Sequence, residues 1–579
     1  GEIEIETGQL ILREGARLAN TTFTPGNGSN LVVKASEFVE LAATPAGSVV
    51  GTGMFSNSIG SKCNGGNIII ETPSLRLRDG ARITVTSGID TVQGVIDIGG
   101  QGGNISIRAD MVELSGASAD GSFQSSLSSA TFTGADGGQV SVEAGALILG
   151  AGAEISANAL GGGNAGNIDI RARDLVQLSG RDGVGLKPTV IQSDTRGAGA
   201  GGNISIDTRR LEVSDRAYIS TSTFGSGAGG SINVHASESV ELLGIGYGEF
   251  AEKVIQNFFN RTISLEDRIT GIYTGTEGTG YAGNINVDTN QLLVRNGSIL
   301  YTPTLGSGIG GDIYIQAREK AEINASGIGA SVLAEGTGGS INIDTAQLIL
   351  GQGSLVANST VGDGNAGNIF VRASELVEID STPVGGPVGT GIYSNTLSGN
   401  NIGAAGNIFV ETPYLLMRDG AQISTATGFN APQGIIPFGG KGGNLVVTGA
   451  QRVELNGISA DGRFRTSLNS GTISNADAGS VQVETDTLIV RDGAEISGST
   501  TGQGVGGSIT VQARDVQLLG ISPDGKYRSA LSVRAEATGN GGSLNLETAS
   551  LLLTGGALVE ASTYSDGNAG SLNAIVTDR

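Results

Sequence analysis

Residues 102–116 read GGNISIRADMVELSG, and this stretch decides the fold. After a glycine and an asparagine come two short runs in which apolar and polar residues alternate, Ile105 to Ile107 and Val112 to Leu114. Alternation with a period of two is typical of a strand with one buried face. The stretch therefore predicts two short strands in succession.

The opening phrase, glycine then a polar residue then apolar–x–apolar, recurs along the whole chain. Its eighteen starts are Gly1, Ser29, Gly66, Gly103, Gly138, Gly166, Gly202, Gly230, Gly283, Gly311, Gly339, Gly367, Gly406, Gly443, Gly479, Gly507, Gly542 and Gly570. The commonest spacing is 28 residues, most others run from 35 to 39, and one is 53. Each repeat also contains a third short alternating segment, such as Ala494 to Ile496.

Strands this short cannot bury a face alone, but stacked repeats can pair each strand with the same strand one coil away. The sequence therefore predicts an all-β fold, a single parallel β-helix (β-solenoid) of about 18 coils with three short strands each. One continuous solenoid is expected over residues 1–579, and a coil height of about 4.8 Å makes it a rod roughly 80 Å long.

The first two residues of each repeat have separate roles in this interpretation. The glycine is expected at a tight corner that requires a positive φ. The polar residue after it is expected to stack on its counterparts in a hydrogen-bonded ladder. The predicted asparagine ladder comprises Asn67, Asn104, Asn368, Asn407 and Asn444.

The residue five places after each start alternates in charge from coil to coil. Odd coils carry an acid there and even coils do not, which avoids repulsion between stacked strands and resists a one-coil slip. The structural unit is therefore a pair of coils, and the position faces outward. The predicted charge register comprises Glu6, Glu71, Arg108, Glu143, Arg171, Asp207, Asp288, Asp344, Arg372, Glu411, Glu484 and Glu547.

Even coils lengthen mostly between the second and third strands, so loops are expected along one edge of the solenoid. Three of these loops share a Ser-x-Asp-Gly phrase, and the longest insertion, 244–270, contains a stretch compatible with a short amphipathic helix. Residues 29–180 and 367–520 resemble each other, which indicates an internal duplication. The candidate contact residues in the loops are Phe123, Phe464, Tyr527, Phe258 and Phe259.

The composition excludes several classes of partner. A net charge of −22 disfavours nucleic acid and anionic lipid, because both require clustered Lys and Arg. The sequence contains no apolar run of about 18 residues, so no membrane insertion is expected. The first and last repeats lack polar caps. This predicts either a piece of a longer chain or ends that stack, side by side or end to end, into filaments.

Several residues that can carry chemistry also have a simpler structural interpretation. His235, the only histidine, occupies the outward register position. Cys63 lies in a loop, and a lone loop cysteine is most often incidental. Asn260-Arg261-Thr262 fits a glycosylation pattern that is weak by itself. No catalytic residue and no cofactor are expected.

Calcium is the one metal that the sequence leaves open. The candidate ligands are Asp120, Asp461, Asp524, Asp363 and Asp566, all followed by glycine. The alternative is that each Asp-Gly pair forms a tight turn, for which the pair is preferred. The register acids recur every second coil, about 9–10 Å apart, too far to share one ion.

GGNISIRADMVELSG at 102–116 and GNIFVRASELVEI at 367–379 resemble the repeats of filamentous-haemagglutinin-like exoproteins, especially the large cyanobacterial members of the two-partner secretion group. The resemblance covers essentially the whole chain. It implies a right-handed parallel β-helix, export through an outer-membrane secretion partner, and a place outside the cell or on the surface of a Gram-negative-type bacterium. It implies no catalytic residues, and the amino-terminal secretion domain of that family is not evident.

Three functions follow in order of preference. The first is a structural or adhesive extracellular shaft for adhesion, matrix or filament assembly. The second is a binding module whose edge loops recognise a glycan or a surface receptor. The third is a β-helical polysaccharide lyase or hydrolase, which is ranked last because the sequence has no Trp and spreads its acids evenly.

Overall fold

The computed structural model describes residues 2–22, 27–58, 64–87, 89–91, 94–96, 100–256, 264, 266–397, 403–431, 434–436 and 439–578. The chain divides into two compact units. Unit 1 comprises Gly1–Ile245, Ser264–Thr289 and Ser298–Leu300. Unit 2 comprises Gly246–Ile263, Asn290–Gly297 and Tyr301–Arg579.

Most coils consist of one long strand of 11 or 12 residues followed by a short strand. In the long strand at Ile105–Ser115, buried and exposed residues alternate on both sides of a bend, where Asp110 and Met111 are both exposed. The first two predicted strands are thus one strand, because the backbone pairing continues through the bend. Side-chain alternation is interrupted at the bend, and this interruption is why the sequence pattern predicted two strands instead of one.

The long strands of unit 1, including one split pair, are β1 (Ile3–Arg13), β3 (Leu31–Ala42), β5 (Ile68–Glu71), β6 (Ser74–Arg78), β10 (Ile105–Ser115), β12 (Val140–Gly150), β14 (Ile168–Ser179), β16 (Ile204–Ser214) and β18 (Ile232–Leu243). Its short strands are β2 (Arg17–Ala19), β4 (Gly53–Phe55), β7 (Arg82–Thr84), β11 (Ser126–Ser128), β13 (Glu154–Ser156), β15 (Val190–Gln192), β17 (Tyr218–Ser220) and β19 (Gly271–Tyr273). The strands β8 (Ile89–Thr91) and β9 (Gly94–Ile96) form an antiparallel hairpin outside these ladders.

The long strands of unit 2, again with one split pair, are β22 (Ile313–Asn324), β24 (Ile341–Gly351), β26 (Ile369–Ile379), β28 (Ile408–Glu411), β29 (Tyr414–Arg418), β33 (Leu445–Asn456), β35 (Ser480–Arg491), β37 (Ser508–Leu519), β39 (Ser543–Thr554) and β41 (Ser571–Val576). Its short strands are β23 (Gly327–Gly329), β25 (Leu355–Ala357), β27 (Gly391–Tyr393), β30 (Gln422–Ser424), β34 (Ser467–Asn469), β36 (Glu495–Ser497), β38 (Ala530–Ala535) and β40 (Leu558–Thr563). The strands β31 (Phe429–Ala431) and β32 (Gly434–Ile436) form a hairpin, and β20 (Ile285–Arg295) and β21 (Ile299–Tyr301) contribute residues to both units.

Each strand pairs in parallel with the equivalent strand of the next coil. In unit 1, Ile105 of β10 lies opposite Val140 of β12, and in unit 2, Val481 of β35 lies opposite Ile509 of β37. Across the described residues, these pairings form parallel sheets of 20 and 17 strands. The predicted all-β, parallel β-helical fold is confirmed.

The core consists of stacked aliphatic side chains. Ile105, Ile107, Val112 and Leu114 from a long strand and Leu127 from the short strand are each at most 1% exposed. Burying a side chain of this size stabilises the fold by about 1.5–3 kcal/mol. The same inward positions recur in each coil, so the rows continue from one coil to the next.

Proline splits two of the long strands at the bend. Pro73 lies between β5 and β6, and Pro413 lies between β28 and β29. Proline has no N–H to donate to the ladder, so the pairing is interrupted at that residue. The Pro73 carbonyl nevertheless accepts hydrogen bonds from the N–H groups of Asp110 and Met111, which keeps the next coil in register.

The expectation that the corner glycines require a positive φ is wrong. Gly66 and Gly103 are not among the glycines with positive φ. The close approach of adjacent coils requires them, because a Cβ on Gly103 would lie 2.8 Å from the carbonyl carbon of Gly66 and closer still to its oxygen. The positive φ values occur in the turns before the short strands, for example at Asp79 and Gly80.

A line of buried hydroxyl groups runs beside the aliphatic core. In unit 1, parallel bridges connect Thr195 to Thr223 and Thr223 to Thr276, and all three residues are 0% exposed. Other buried hydroxyls donate to the carbonyls of corner glycines, as Ser193 does to Gly166 at 2.5 Å. These hydrogen bonds satisfy carbonyls that lie inside the coil.

The long insertion contains the predicted short helix, α1 (Tyr247–Val254), which belongs to unit 2. Phe250 and Val254 are buried. The ring of Phe250 lies against Gly327, where an added Cβ would meet Phe250 Cε2 at 2.7 Å. The helix therefore packs on glycine positions of the coils and covers part of the solenoid.

Candidate functional site

The charge register lies on the outward face of the long strands. In unit 1 its strand partners follow the predicted order, with Glu6 opposite Lys34, Glu71 opposite Arg108, Arg108 opposite Glu143, Glu143 opposite Arg171, Arg171 opposite Asp207, and Asp207 opposite His235. In unit 2, Gln316 faces Asp344, Asp344 faces Arg372, Arg372 faces Glu411, Glu484 faces Gln512, and Gln512 faces Glu547. The odd–even alternation is thus a spatial alternation along each ladder.

Several of these neighbours form ion pairs. Arg108 lies 3.5 Å from Glu71 and 3.2 Å from Glu143, and Arg372 lies 3.0 Å from Glu411. The side chains are 45–68% exposed, so each pair contributes about 0.2–1 kcal/mol. Pairs this weak specify the stacking register more than they stabilise the fold.

His235 belongs to this register. Its Nδ1 lies 3.0 Å from Asp288 Oδ2, and both side chains are substantially exposed. Asp207 is its strand partner on the other side. The imidazole is therefore flanked by register acids on an open face, which matches the structural interpretation.

An open groove follows the bend of the long strands in unit 1. It has a volume of about 860 Å³. Small residues line its floor, among them Thr7, Ala35, Thr72, Ala109 and Ala144. The charged residues that line it are Glu6, Lys34, Glu71, Arg108, Asp110, Glu143 and Arg173. The register thus presents carboxylates and cations along a concave surface that crosses six coils.

The charge of this groove is already compensated within it. The carboxylates of Glu4 and Glu6 raise the pKa of Lys34. Arg108 lies between two glutamates. Such a surface offers hydrogen-bond donors and acceptors to an extended polar chain without a strong preference for either sign of charge.

The predicted asparagines form a ladder with the backbone. The N–H of Asn104 donates to Asn67 Oδ1 at 3.0 Å. In unit 2, the N–H groups of Asn407 and Asn444 donate to the side-chain oxygens of Asn368 and Asn407, both at 2.9 Å. Each amide oxygen therefore ties its coil to the backbone of the next coil.

In each unit, the loops of the even coils form a second candidate surface, which we name the insertion ridge. In unit 1 it comprises residues 44–52, 117–124 and 181–188, and in unit 2 residues 382–390, 458–465 and 521–528. Four of these loops are small hairpins, each closed by one antiparallel bridge, for example Ala117 to Gln124. The ridge emerges between the long and the short strands, where the lengthened loops were expected.

The Ser-x-Asp-Gly aspartates shape these hairpins. Ser118 Oγ donates to Asp120 Oδ1 at 2.6 Å, and the N–H of Ser122 donates to the same oxygen at 3.1 Å. Asp461 and Asp524 accept equivalent hydrogen bonds. One carboxylate oxygen of each of these three aspartates therefore stabilises a tight turn, as the turn alternative to calcium binding expects.

The second oxygen of two aspartates connects loops that lie two coils apart. Asp120 Oδ2 accepts from the N–H of Gly47 at 2.7 Å, and Asp461 Oδ2 accepts from the N–H of Gly385 at 3.0 Å. We name this contact the loop clasp. The Gly47 hydrogen bond, followed by that of Ser118, lowers the pKa of Asp120.

The aromatic residues of these loops pack inward. Phe464 is only 6% exposed, so its proposed role as a contact residue is wrong. Phe123 and Tyr527 are half-buried, with the guanidinium carbons of Arg82 and Arg465 at 5.6 and 5.1 Å from the ring centres. Phe258 and Phe259 lie outside the described residues.

The exposed apolar residues of the ridge are aliphatic, and the sequence-based prediction missed them. Val49 is 92% exposed, Val384 is 71% exposed and Leu186 is 65% exposed. Leu186 also has a φ of 56°, which an L-residue rarely adopts. In the sequence, these residues can be found as aliphatic residues surrounded by Gly and Pro, in segments without the alternation of a strand.

Two calcium candidates remain, Asp363 and Asp566. Asp566 is exposed, and Asp363 has an interaction partner. Within the described part of the chain, no group of three His, Cys, Asp or Glu residues is placed to hold a metal ion. Cys63 and Asn260-Arg261-Thr262 lie outside that part.

The chain matches no family model, no curated protein and no solved structure. The described part of the chain also contains no helix long and apolar enough to cross a membrane. The groove and the insertion ridge are the candidate surfaces for a functional site.

Proposed function

We propose that the chain is a structural and adhesive shaft, whose stacked coils give stiffness and whose insertion ridge makes the contacts. The loop clasp carries this proposal, because unit 1 and unit 2 each contain it with the same donor and acceptor types. Loops that only closed a coil would not need to be fastened to one another. Fastened loops present a defined surface.

The coil architecture supports the mechanical part of the proposal. Neighbouring coils are joined by parallel backbone ladders, and some of them also by asparagine side chains. Repeats of this kind derive their stability from contacts with adjacent repeats. A shaft with these properties can hold a contact surface away from its point of attachment.

The proposed location is the cell surface. The resemblance to filamentous-haemagglutinin-like exoproteins supports export through an outer-membrane partner to the surface of a Gram-negative-type bacterium. The acidic composition, with a net charge of −22, suits a soluble exported chain. Calcium dependence is tested by repeating each assay with a chelator.

The test compares two triple variants of the full chain. The ridge variant replaces Val49, Val184 and Leu186 with Ser, and all three side chains are more than half exposed. The control variant replaces the exposed strand residues Ile11, Met111 and Tyr314 with Ser. Substitutions at such positions usually change the free energy of unfolding by less than about 0.5 kcal/mol.

We expect the purified chain to bind bacterial cells or a panel of immobilised glycans. The ridge variant should lose at least about tenfold in affinity and the control variant should not. Equal loss in both variants, or no binding by the natural chain, would contradict the adhesive part. Release of reducing ends from soluble polysaccharides would instead favour the lyase or hydrolase alternative.

A binding module centred on the groove is the second candidate, and the charged lining across six coils favours it. Replacing Arg108 with Ala would then abolish glycan binding, while the ridge variant would retain it. Self-association is a separate proposal. Continuous fibres in electron micrographs would support end-to-end stacking, whereas separate rods would contradict it.

A further inference from the structure

Arg268 is a buried cation for which the proposed shaft has no use. Its side chain is 5% exposed, although it lies in the long insertion, outside the ladders. Its Nη1 and Nη2 both donate to Asp194 Oδ2, each at 3.1 Å. Arg268 and Asp194 are 74 residues apart in sequence and both belong to unit 1.

The surroundings of the Arg268 guanidinium form a built pocket. Its Cζ lies 4.9 Å from the ring centre of Tyr218 and 5.8 Å from that of Tyr273. The two rings meet edge to face with centres 6.2 Å apart. Ser220 Oγ donates to Asp194 Oδ1 at 2.7 Å, which fixes the orientation of the carboxylate.

Each element of this pocket favours a guanidinium over other cations. A planar guanidinium can stack against aromatic faces while two of its N–H groups donate to one carboxylate. An ammonium is compact and strongly hydrated, so it loses more solvation on entering such a pocket. Removing one partner of a buried ion pair leaves an uncompensated charge, which is strongly unfavourable.

We propose that Asp194, Tyr218 and Tyr273 form a guanidinium-binding pocket, which this chain fills with its own Arg268. The occupant comes from the returning arm of the insertion, residues 266–270, so the pocket latches that arm onto the coils of unit 1. When Arg268 is withdrawn, the pocket accepts the guanidinium group of an arginine side chain from another polypeptide. This inference is independent of the adhesive function proposed above.

The test empties the pocket and offers the ligand in solution. In the full-length Arg268→Ala variant, we expect millimolar methylguanidinium to bind saturably and to raise the thermal midpoint. Methylammonium should bind at least about tenfold more weakly, and urea should give no saturable effect. The natural chain should bind none of them, because Arg268 occupies the pocket.

Arg196→Ala is the matched control, since Arg196 lies on the same coils and forms an exposed ion pair with Glu266 of the same arm, at 3.1 Å. It should behave as the natural chain does. Absence of saturable methylguanidinium binding to a folded Arg268→Ala variant would overturn the proposal, as would equal binding by the natural chain.

If Arg268→Ala does not fold, Asp194→Asn tests the same pocket while keeping the shape of the side chain. Amide hydrogen exchange over residues 266–270 should then accelerate at least about tenfold, while exchange in β12 and β14 stays unchanged. Unchanged exchange over residues 266–270 in this variant would also overturn the proposal.

Discussion

Replacing Gly103 with Ala tests whether close stacking, rather than backbone conformation, explains the corner glycines. The new Cβ would lie 2.8 Å from the carbonyl carbon of Gly66, whereas carbon atoms in contact prefer about 3.5–4.0 Å. The two coils must therefore separate by at least about 1 Å at this corner, because the carbonyl oxygen of Gly66 lies closer still to the new Cβ. The hydrogen bonds from Gly65 to Gln101 and from Ile68 to Asn104, each 2.9 Å, would then exceed the useful range.

The cost follows from these contacts. Two lost hydrogen bonds amount to about 2 kcal/mol, and overpacking of a tight site by one carbon costs about 1–3 kcal/mol. The two figures describe the same distortion, so we expect a loss of about 2–3 kcal/mol in local opening free energy. That corresponds to roughly 30- to 150-fold faster amide exchange.

Hydrogen exchange measured by mass spectrometry over residues 64–72 and 100–112 is the assay, because it reports local opening in a chain too large for two-state unfolding. Gly134→Ala is the matched control, since an added Cβ there meets nothing within 4 Å. Equal exchange in the two variants would refute the stacking explanation.

Three further predictions concern the ladders and the clasp. Asn104→Ala should lower the free energy of local opening by about 0.5–1.5 kcal/mol and accelerate amide exchange at Gln139, whose N–H loses its side-chain acceptor. Unchanged amide exchange at Gln139 would contradict the asparagine ladder. Glu143→Lys should lower the thermal midpoint at low ionic strength, because the strand partners of residue 143 are the cations Arg108 and Arg171. The decrease should be smaller at 1 M salt, which screens the repulsion. An effect that does not depend on salt would exclude a charge register. The Gly47 hydrogen bond lowers the pKa of Asp120 in the folded chain, so the stabilisation by this hydrogen bond is present above about pH 4 and is lost as the pH falls further. The thermal midpoints of the natural chain and of Asp120→Asn should therefore differ at pH 7 and converge at low pH. A difference that stays constant with pH would contradict the clasp.

The sequence predicted those features that depend on residues at a fixed spacing. The asparagine and charge ladders are of this kind, because each member recurs once per coil and parallel stacking brings equivalent positions together. The lengthened loops were also predictable, since extra residues have to leave the ladder. The helix in the insertion followed from the amphipathic pattern around Phe250.

Other features depend on the path of the backbone, which spacing does not reveal. The bend in the long strand places Asp110 and Met111 outward in succession, which in sequence resembles the end of a strand. The inward packing of Phe464 depends on how its hairpin folds over the coil. The contact between Arg268 and Asp194 depends on the course of a long insertion, and no pattern in either segment indicates it.

The loop clasp changes how cooperative the solenoid can be. In a simple stack, each coil interacts with its two neighbours, and its stability is a sum of nearest-neighbour terms. The clasp from Asp120 to Gly47 adds a term between next-nearest neighbours. The clasp spans the coil between them, which contains Asp79 and Gly80, so that coil cannot open without breaking the hydrogen bond from Gly47 to Asp120. Coils of these segments can therefore be exchanged, inserted or deleted between solenoids in blocks of three more safely than one at a time.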